Sequence, residues 1–176
     1  LEGRGLDEKT CEQFEIGYNG AGDSLHEFLK AKGYEDKDMV NANVCRTSAS
    51  GIHDVFSDRI TFPIHDSLGN PIGFSARTMD PAQAKYINTN DTEVFHKGEI
   101  VYNYHRAKTA ARRSGKVLVC EGVTDVIAFW KAGIENAVCT LGTSCTAAQI
   151  RLLKNIAPRT VFCYDGDDPG QAANYK

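Results

Sequence analysis

KVLVCEGVTDVIAFWKAG, residues 116–133, decides the fold of this chain. Val117 to Cys120 form an apolar run without polar alternation, as in a short strand covered on both faces. Glu121 and Gly122 end the run. TDVIAFWKAG then spaces apolar residues at helical period, with Thr124 the expected N-cap and Gly133 the stop. The succession repeats downstream. NAVCTLG (136–142) is a second apolar run, and TAAQIRLLKNIA (146–157) a helix with Thr146 as its N-cap. TVFCYDGD (160–167) is a third run, and PGQAANYK (169–176) opens another helix with Pro169 near its first turn. Strand and helix alternating three times predict an α/β domain with a buried parallel sheet. In such sheets ligands collect at the carboxyl ends of the strands.

Those ends carry acids. Glu121 closes the first strand, while Asp165, Asp167 and Asp168 crowd behind the third. Carboxylates gathered on one rim repel one another unless cations neutralise them, and hard divalent ions, Mg²⁺ above all, take oxygen ligands. Asp-Gly-Asp-Asp alone would read as a turn. Combined with Glu-Gly-x-x-Asp at a neighbouring strand end, it reads as a metal site for phosphate chemistry.

Upstream the pattern differs. The first stretch reads as helical, with turns at YNGAGD and KGYED and a loop at SASG (48–51). RITFPIHDSLGNPIGFSART (59–78) predicts two strands joined around Asp66–Pro71, with Pro63 marking an edge strand or a bulge. AKYINTNDTEVFHKG (84–98) reads as a loop, and YNYHRAKTAARRSG (102–115) as a helix ending at Gly115. The expectation is an α+β part over residues 1–115 and an α/β part over 116–176.

Bulk properties narrow the class. The chain has 176 residues with a net charge of −3, distributed as −6 over residues 1–58, +4 over 59–116 and −1 over 117–176. A basic middle beside clustered acids suits a polyanion held next to metal ions. No apolar run reaches membrane-spanning length and no secretory leader is visible. The six cysteines form no C-x-x-C pair, which argues against zinc, and read as reduced thiols of a cytoplasmic protein. His65, His96 and His105 lack metal-ligand spacing. Lys108, Arg112 and Arg113 read as a solvated helix face, and Phe129 and Trp130 as core. Arg59 is a weaker candidate for phosphate binding, with pairing to Asp58 or Asp54 as its plainer reading.

EGVTDVIAFWKAG, LGTS (141–144) and YDGDDPGQAA together resemble the Toprim domain, whose mark is a Glu after one strand and Asp-x-Asp after another. RITFPIHDSLGNPIGFSAR followed by AKYINTNDTEVFHKGEIVYNYHRAK resembles the RNA-polymerase core of DnaG-type bacterial or phage primases. LEGRGL and FEIGYN (14–19) resemble its start, so the likeness covers essentially the whole chain, more loosely over residues 20–57. The resemblance implies a Toprim-type α/β domain and a nucleotidyl transferase making short RNA primers on single-stranded DNA from ribonucleoside triphosphates. It implies Glu121, Asp165 and Asp167 as catalytic metal-binding carboxylates for Mg²⁺, with Mn²⁺ as a substitute. Asp125 is the fourth acid, as support or as a helix N-terminal acid. Asp168 departs from the commoner small or basic residue and has no assigned role. Arg77, Lys85, Tyr86, Asn88 and Lys97 match positions that bind template and nucleotide, where cations neutralise phosphates and an aromatic can stack.

Compared with whole primases of this kind, the sequence reads as an excised fragment. It has neither the zinc module nor the region that engages the replicative helicase, and it stops before the strands expected to complete the sheet. Two other readings stand beside primer synthesis: another Toprim phosphotransferase such as a nuclease, and a catalytically incomplete module that binds single-stranded DNA or a nucleotide.

Overall fold

The computed structural model describes residues 6–142 and 144–164. The expected helix at 169–176 and the LEGRGL segment up to Gly5 lie outside the described residues, as do Asp165, Asp167 and Asp168. No described helix is long and apolar enough to cross a membrane. The chain divides into two compact units, Leu1–Pro63 with Ile72–Phe95, and Ile64–Pro71 with His96–Lys176.

The first unit begins with α1 (Glu8–Phe14), β1 (Gly17–Asn19), α2 (Ser24–Ala31) and α3 (Asp36–Asn41). Asp7 caps α1 by accepting the Thr10 N–H at 2.8 Å. For α2 the cap is supplied from outside the helix. Asp23 makes no cap bond, and Asp54, only 3% exposed, accepts the N–H groups of Leu25 at 2.8 Å and His26 at 2.9 Å. Asp23 meanwhile accepts the Asp54 N–H at 2.9 Å and contacts His53 Nδ1 at 3.0 Å. The predicted SASG loop is the tip of a hairpin: β2 (Cys45–Ser48) pairs antiparallel with β3 (Gly51–Asp54), Ser48 opposite Gly51.

β4 (Arg59–His65) and β5 (Pro71–Thr78) are the two expected strands. With β1 and β6 (Tyr86–Asn88) they form a sheet of order β1-β4-β5-β6. Three expectations are corrected here. Tyr18 and Asn19 lie in a strand paired with Ile60 and Arg59 rather than in a turn, and Tyr86–Asn88 is a strand rather than loop. β4 is also interior, not an edge. The Asp66 N–H faces Asn70 across the hairpin, so period-two alternation turns Pro63 toward β1. β1 ends opposite Thr61, and the missing N–H of Pro63 interrupts no pairing there. Gly73 lets β5 approach its neighbour: a Cβ there would lie 3.0 Å from Thr89 Oγ1, which accepts the Phe74 N–H. Phe14, Phe56, Phe62 and Phe95 are buried in this unit.

The second unit holds the tip of the β4–β5 hairpin together with α4 (Tyr104–Ser114), β7 (Lys116–Cys120), α5 (Val123–Lys131), β8 (Ala137–Cys139), α6 (Ala147–Ile156) and β9 (Arg159–Cys163). The tip is tied to α4. The His65 and His105 rings pack 4.6 Å apart, and Lys108 Nζ donates to the Ser67 carbonyl at 3.2 Å. α4 stops where expected because Gly115 adopts φ +68°, open to glycine at little cost. The three strands form a parallel sheet of order β8-β7-β9. Val117, Val119 and Val138 on one face pack with Ala107 and Ala111 of α4 and Leu153 and Ile156 of α6. Leu118 and Cys120 face the other way, the side on which Val123, Val126 and Ile127 of α5 are buried. α5 starts two residues earlier than a Thr124 N-cap predicts, with Gly122 in the cap position. Gly122 is extended at φ −140° and ψ 173°, and Asp125, three residues on, reaches back to its N–H at 2.9 Å. Thr146 caps α6 as expected.

Candidate functional site

The rim of the second unit is set by register. Cys139, Cys120 and Cys163, the last residues of β8, β7 and β9, stand side by side as Cα partners. The chain therefore leaves three neighbouring strands at one level, through Thr140, Glu121 and Tyr164. Two of these cysteines, Cys120 and Cys139, are fully buried at that rim. Burial pushes the Cys120 thiol up to about 12 and raises that of Cys139 further, so both behave as small apolar residues.

Glu121 is exposed on this rim. The Tyr164 phenol is raised chiefly by burial, with the charges of Cys145 and then Glu121 adding to it. Glu121 thus sits close enough to the end of β9 to be felt there, and Asp165 follows Tyr164 directly in the chain. Asp125 is engaged elsewhere: its Oδ2 accepts the Gly122 N–H, so of its two readings the helix N-terminal one has a visible partner. Among the described residues no group of three His, Cys, Asp or Glu side chains is arranged to hold a metal ion. Of the three acids expected to do so, two lie outside that set. Glu121 together with Asp165 and Asp167, which follow later in the sequence, is an oxygen-only donor set of the kind a hard divalent cation takes.

Lys97 reaches the same rim from upstream. Tyr102 pairs antiparallel with Cys139, its N–H donating to the Cys139 carbonyl at 2.8 Å. The preceding 3₁₀ turn, Lys97–Glu99, consequently lies beyond the carboxyl end of β8. Lys97 is exposed, and its stem runs over Gly142, where a Cβ would be 3.8 Å from Cε.

The other candidates belong to the first unit. Arg77 and Tyr86 are Cα partners on β5 and β6. Arg77 Nη1 donates to the Tyr86 hydroxyl at 3.3 Å, and the guanidinium lies 5.4 Å from the ring centroid, within cation–π range. Asn88 faces Ser75 two residues along, so Arg77, Tyr86 and Asn88 share one face of the hairpin. Arg77 Nε and Asn88 Oδ1 are buried without hydrogen-bond partners, the state of polar atoms that a ligand would satisfy. Lys85 is exposed in the bend before β6, where its carbonyl accepts the Thr78 N–H at 3.1 Å.

Arg59 corrects an expectation. It pairs with neither Asp58 nor Asp54; it is 5% exposed and donates to the Ala84 carbonyl at 2.9 Å and to Gln83 Oε1 at 3.0 Å. Those bonds hold the chain just ahead of Lys85 and Tyr86. Gln149 escaped the sequence reading altogether. The T-x-x-Q spacing announces a capping box, and nothing local announces the carbonyls of Lys97, Ile100 and Thr140 that its amide also meets.

Residues 1–108 match the model of the DNA primase catalytic core, N-terminal domain, and residues 118–176 match a Toprim-like family. The chain is 36% identical over its whole length to a DNA primase of Pseudomonas putida, covering 27% of that protein. Against a Geobacillus stearothermophilus DNA primase the identity is 38%, over 97% of this chain and 29% of the relative. The chain thus spans less than a third of these curated relatives. Among solved structures, the RNA polymerase domain of Mycobacterium tuberculosis primase DnaG superposes with a TM-score of 0.91 at 30% identity, over 100% of this chain and 60% of that one. A DnaG primase catalytic domain bound to ssDNA superposes with a TM-score of 0.88 at 35% identity, over 99% and 55%.

Proposed function

The chain belongs to the family of DnaG-type DNA primase catalytic cores, and on that footing we propose that it carries the nucleotidyl-transfer site that builds short RNA primers on single-stranded DNA. The observation that supports this most is the common level of the three strand ends, which starts Glu121 and the Asp-x-Asp segment from adjacent strands. Glu121, Asp165 and Asp167 hold divalent cations, Mg²⁺ with Mn²⁺ as substitute. Bound there, such cations supply charge that offsets the triphosphate oxygens and eases attack of a 3′-hydroxyl on the α-phosphate as pyrophosphate leaves.

The remaining work falls to the chain's own side chains. Lys97 meets phosphate charge from the same rim. In the first unit Arg77 and Lys85 hold backbone phosphates, Tyr86 offers a stacking face, and Asn88 presents an amide for base or ribose recognition. Asp125 serves by fixing the turn that presents Glu121. The single strand bound by the related DnaG catalytic domain supports the choice of template. Ribonucleoside triphosphates are the second substrate, and the replicative helicase is a partner of the whole protein. A boundary between residues 115 and 116, separating the part that holds the basic segment from the Toprim part, belongs to the same proposal.

The test is extension of an end-labelled RNA primer annealed to a longer DNA template, with ribonucleotides and Mg²⁺ or Mn²⁺. Extension in the wild type, abolished by Glu121→Gln and by Asp165→Asn with the fold intact, is the expected result. Extension that survives both changes removes the metal assignment. Binding of DNA with no product under any metal would leave a binding module in place of an enzyme.

A further inference from the structure

We propose that Gln149 is a positioning residue that fixes Lys97 over the rim through the main chain of the Lys97 turn. This rests on the reading of Lys97 as a phosphate contact. Gln149 is 1% exposed, on the first turn of α6. Its Oε1 accepts the Thr146 N–H at 3.0 Å, and its own N–H donates to Thr146 Oγ1 at 3.1 Å. That closes the capping box and accounts for one end of the side chain. The other end does something a cap does not need. Nε2 faces three carbonyls, those of Lys97 at 3.1 Å, Ile100 at 2.8 Å and Thr140 at 3.2 Å. Thr146 Oγ1 adds a fourth bond, donating to the Gly98 carbonyl.

Two side chains of one helical turn therefore fasten the carbonyls of Lys97, Gly98 and Ile100 to the loop that leaves β8. A methionine would fill the same volume without an amide to satisfy, so the amide's distinct contribution is to select one conformation of two loops. With its main chain held, the Lys97 stem lies along Gly142, where a Cβ would be 3.9 Å from Nζ. Thr140 Oγ1, donating to the Gly142 carbonyl at 2.8 Å, holds that surface in turn. A lysine placed in advance loses less freedom when a phosphate arrives than one on a loose loop.

The experiment is a double-mutant cycle in the full chain, read as the slope of log affinity for a dT oligonucleotide against log salt, with urea melts confirming the folded state. Lys97→Ala is expected to shallow the slope by about 0.7, one phosphate on a single strand. Gln149→Met should shallow it equally, and the double variant no further than Lys97→Ala. Gln149→Glu, which turns the donor into an acceptor facing three carbonyls, should match Gln149→Met. Should Gln149→Met fail to fold, Thr146→Val is judged by the same criterion, with Thr146→Ser expected to restore the slope. Effects of Gln149→Met and Lys97→Ala that add in full, or a slope untouched by Gln149→Met, would reduce Gln149 to a packing role while Lys97 kept its contact. A slope untouched by Lys97→Ala would remove the phosphate contact itself and the positioning role with it.

Discussion

Asp66 fixes the turn between β4 and β5 with one carboxylate. Its Oδ1 accepts the N–H groups of Leu68 at 2.8 Å and Asn70 at 2.9 Å, and its Oδ2 accepts Asn70 Nδ2 at 2.9 Å. The Asn70 side chain first, then its main-chain N–H, draw the carboxyl down to about 2, against an ordinary value of about 4. A depressed carboxylate stabilises the fold above its unfolded value, and that contribution disappears as pH falls from about 4 through about 2. The stability advantage of wild type over Asp66→Ala, measured by urea unfolding, should therefore be full at pH 6 and shrink at pH 2. An advantage that does not change between those values would mean that Asp66 titrates alike in both states. The Asp66–Pro71 turn was legible in the sequence because Asp, Gly, Asn and Pro state their preferences locally. Arg59 and Gln149 were not, since each acts on carbonyls far along the chain, and no local pattern names a distant partner.

At the scale of elements the same division holds. The runs at 117–120 and 137–139 are apolar on consecutive residues, as strands covered on both faces must be, and 161–163 is apolar too although Phe162 of β9 is exposed, so the parallel sheet could be read directly. β1 and β6 have only three residues each, too few for a period to show, and they exist because β4 and β5 offer them partners. Helix α2 depends on tertiary structure in a comparable way, since Asp54 on β3 satisfies two of its first N–H groups. Asp54→Ala leaves those donors and Asn19 Nδ2 without their acceptor and should cost about 3 kcal/mol in urea unfolding. A cost below about 0.5 kcal/mol would show that α2 caps itself once Asp54 is gone.

Across the whole molecule, the basic middle of the chain is shared between the two units. Arg77 and Lys85 belong to the first, Lys97 to the second, whose rim also carries Glu121. A basic segment of this kind suits a protein that meets a polyanion. The cation site expected on the rim rests on Asp165 and Asp167, which lie outside the described residues, and the strand ends that form the rim were legible from the apolar runs before them. The three cysteines side by side at those ends were not, because strand order and register settle which residues become neighbours. Whether Glu121, Asp165 and Asp167 hold a hard divalent ion is read most directly in a Mn²⁺ titration of the full chain followed by the electron paramagnetic resonance of the free ion. Wild type should bind Mn²⁺ in competition with Mg²⁺, and Glu121→Gln and Asp165→Asn should each weaken binding by about tenfold or more, since changes even to residues behind metal ligands cost that much. Binding of equal strength in wild type and both variants would contradict the account.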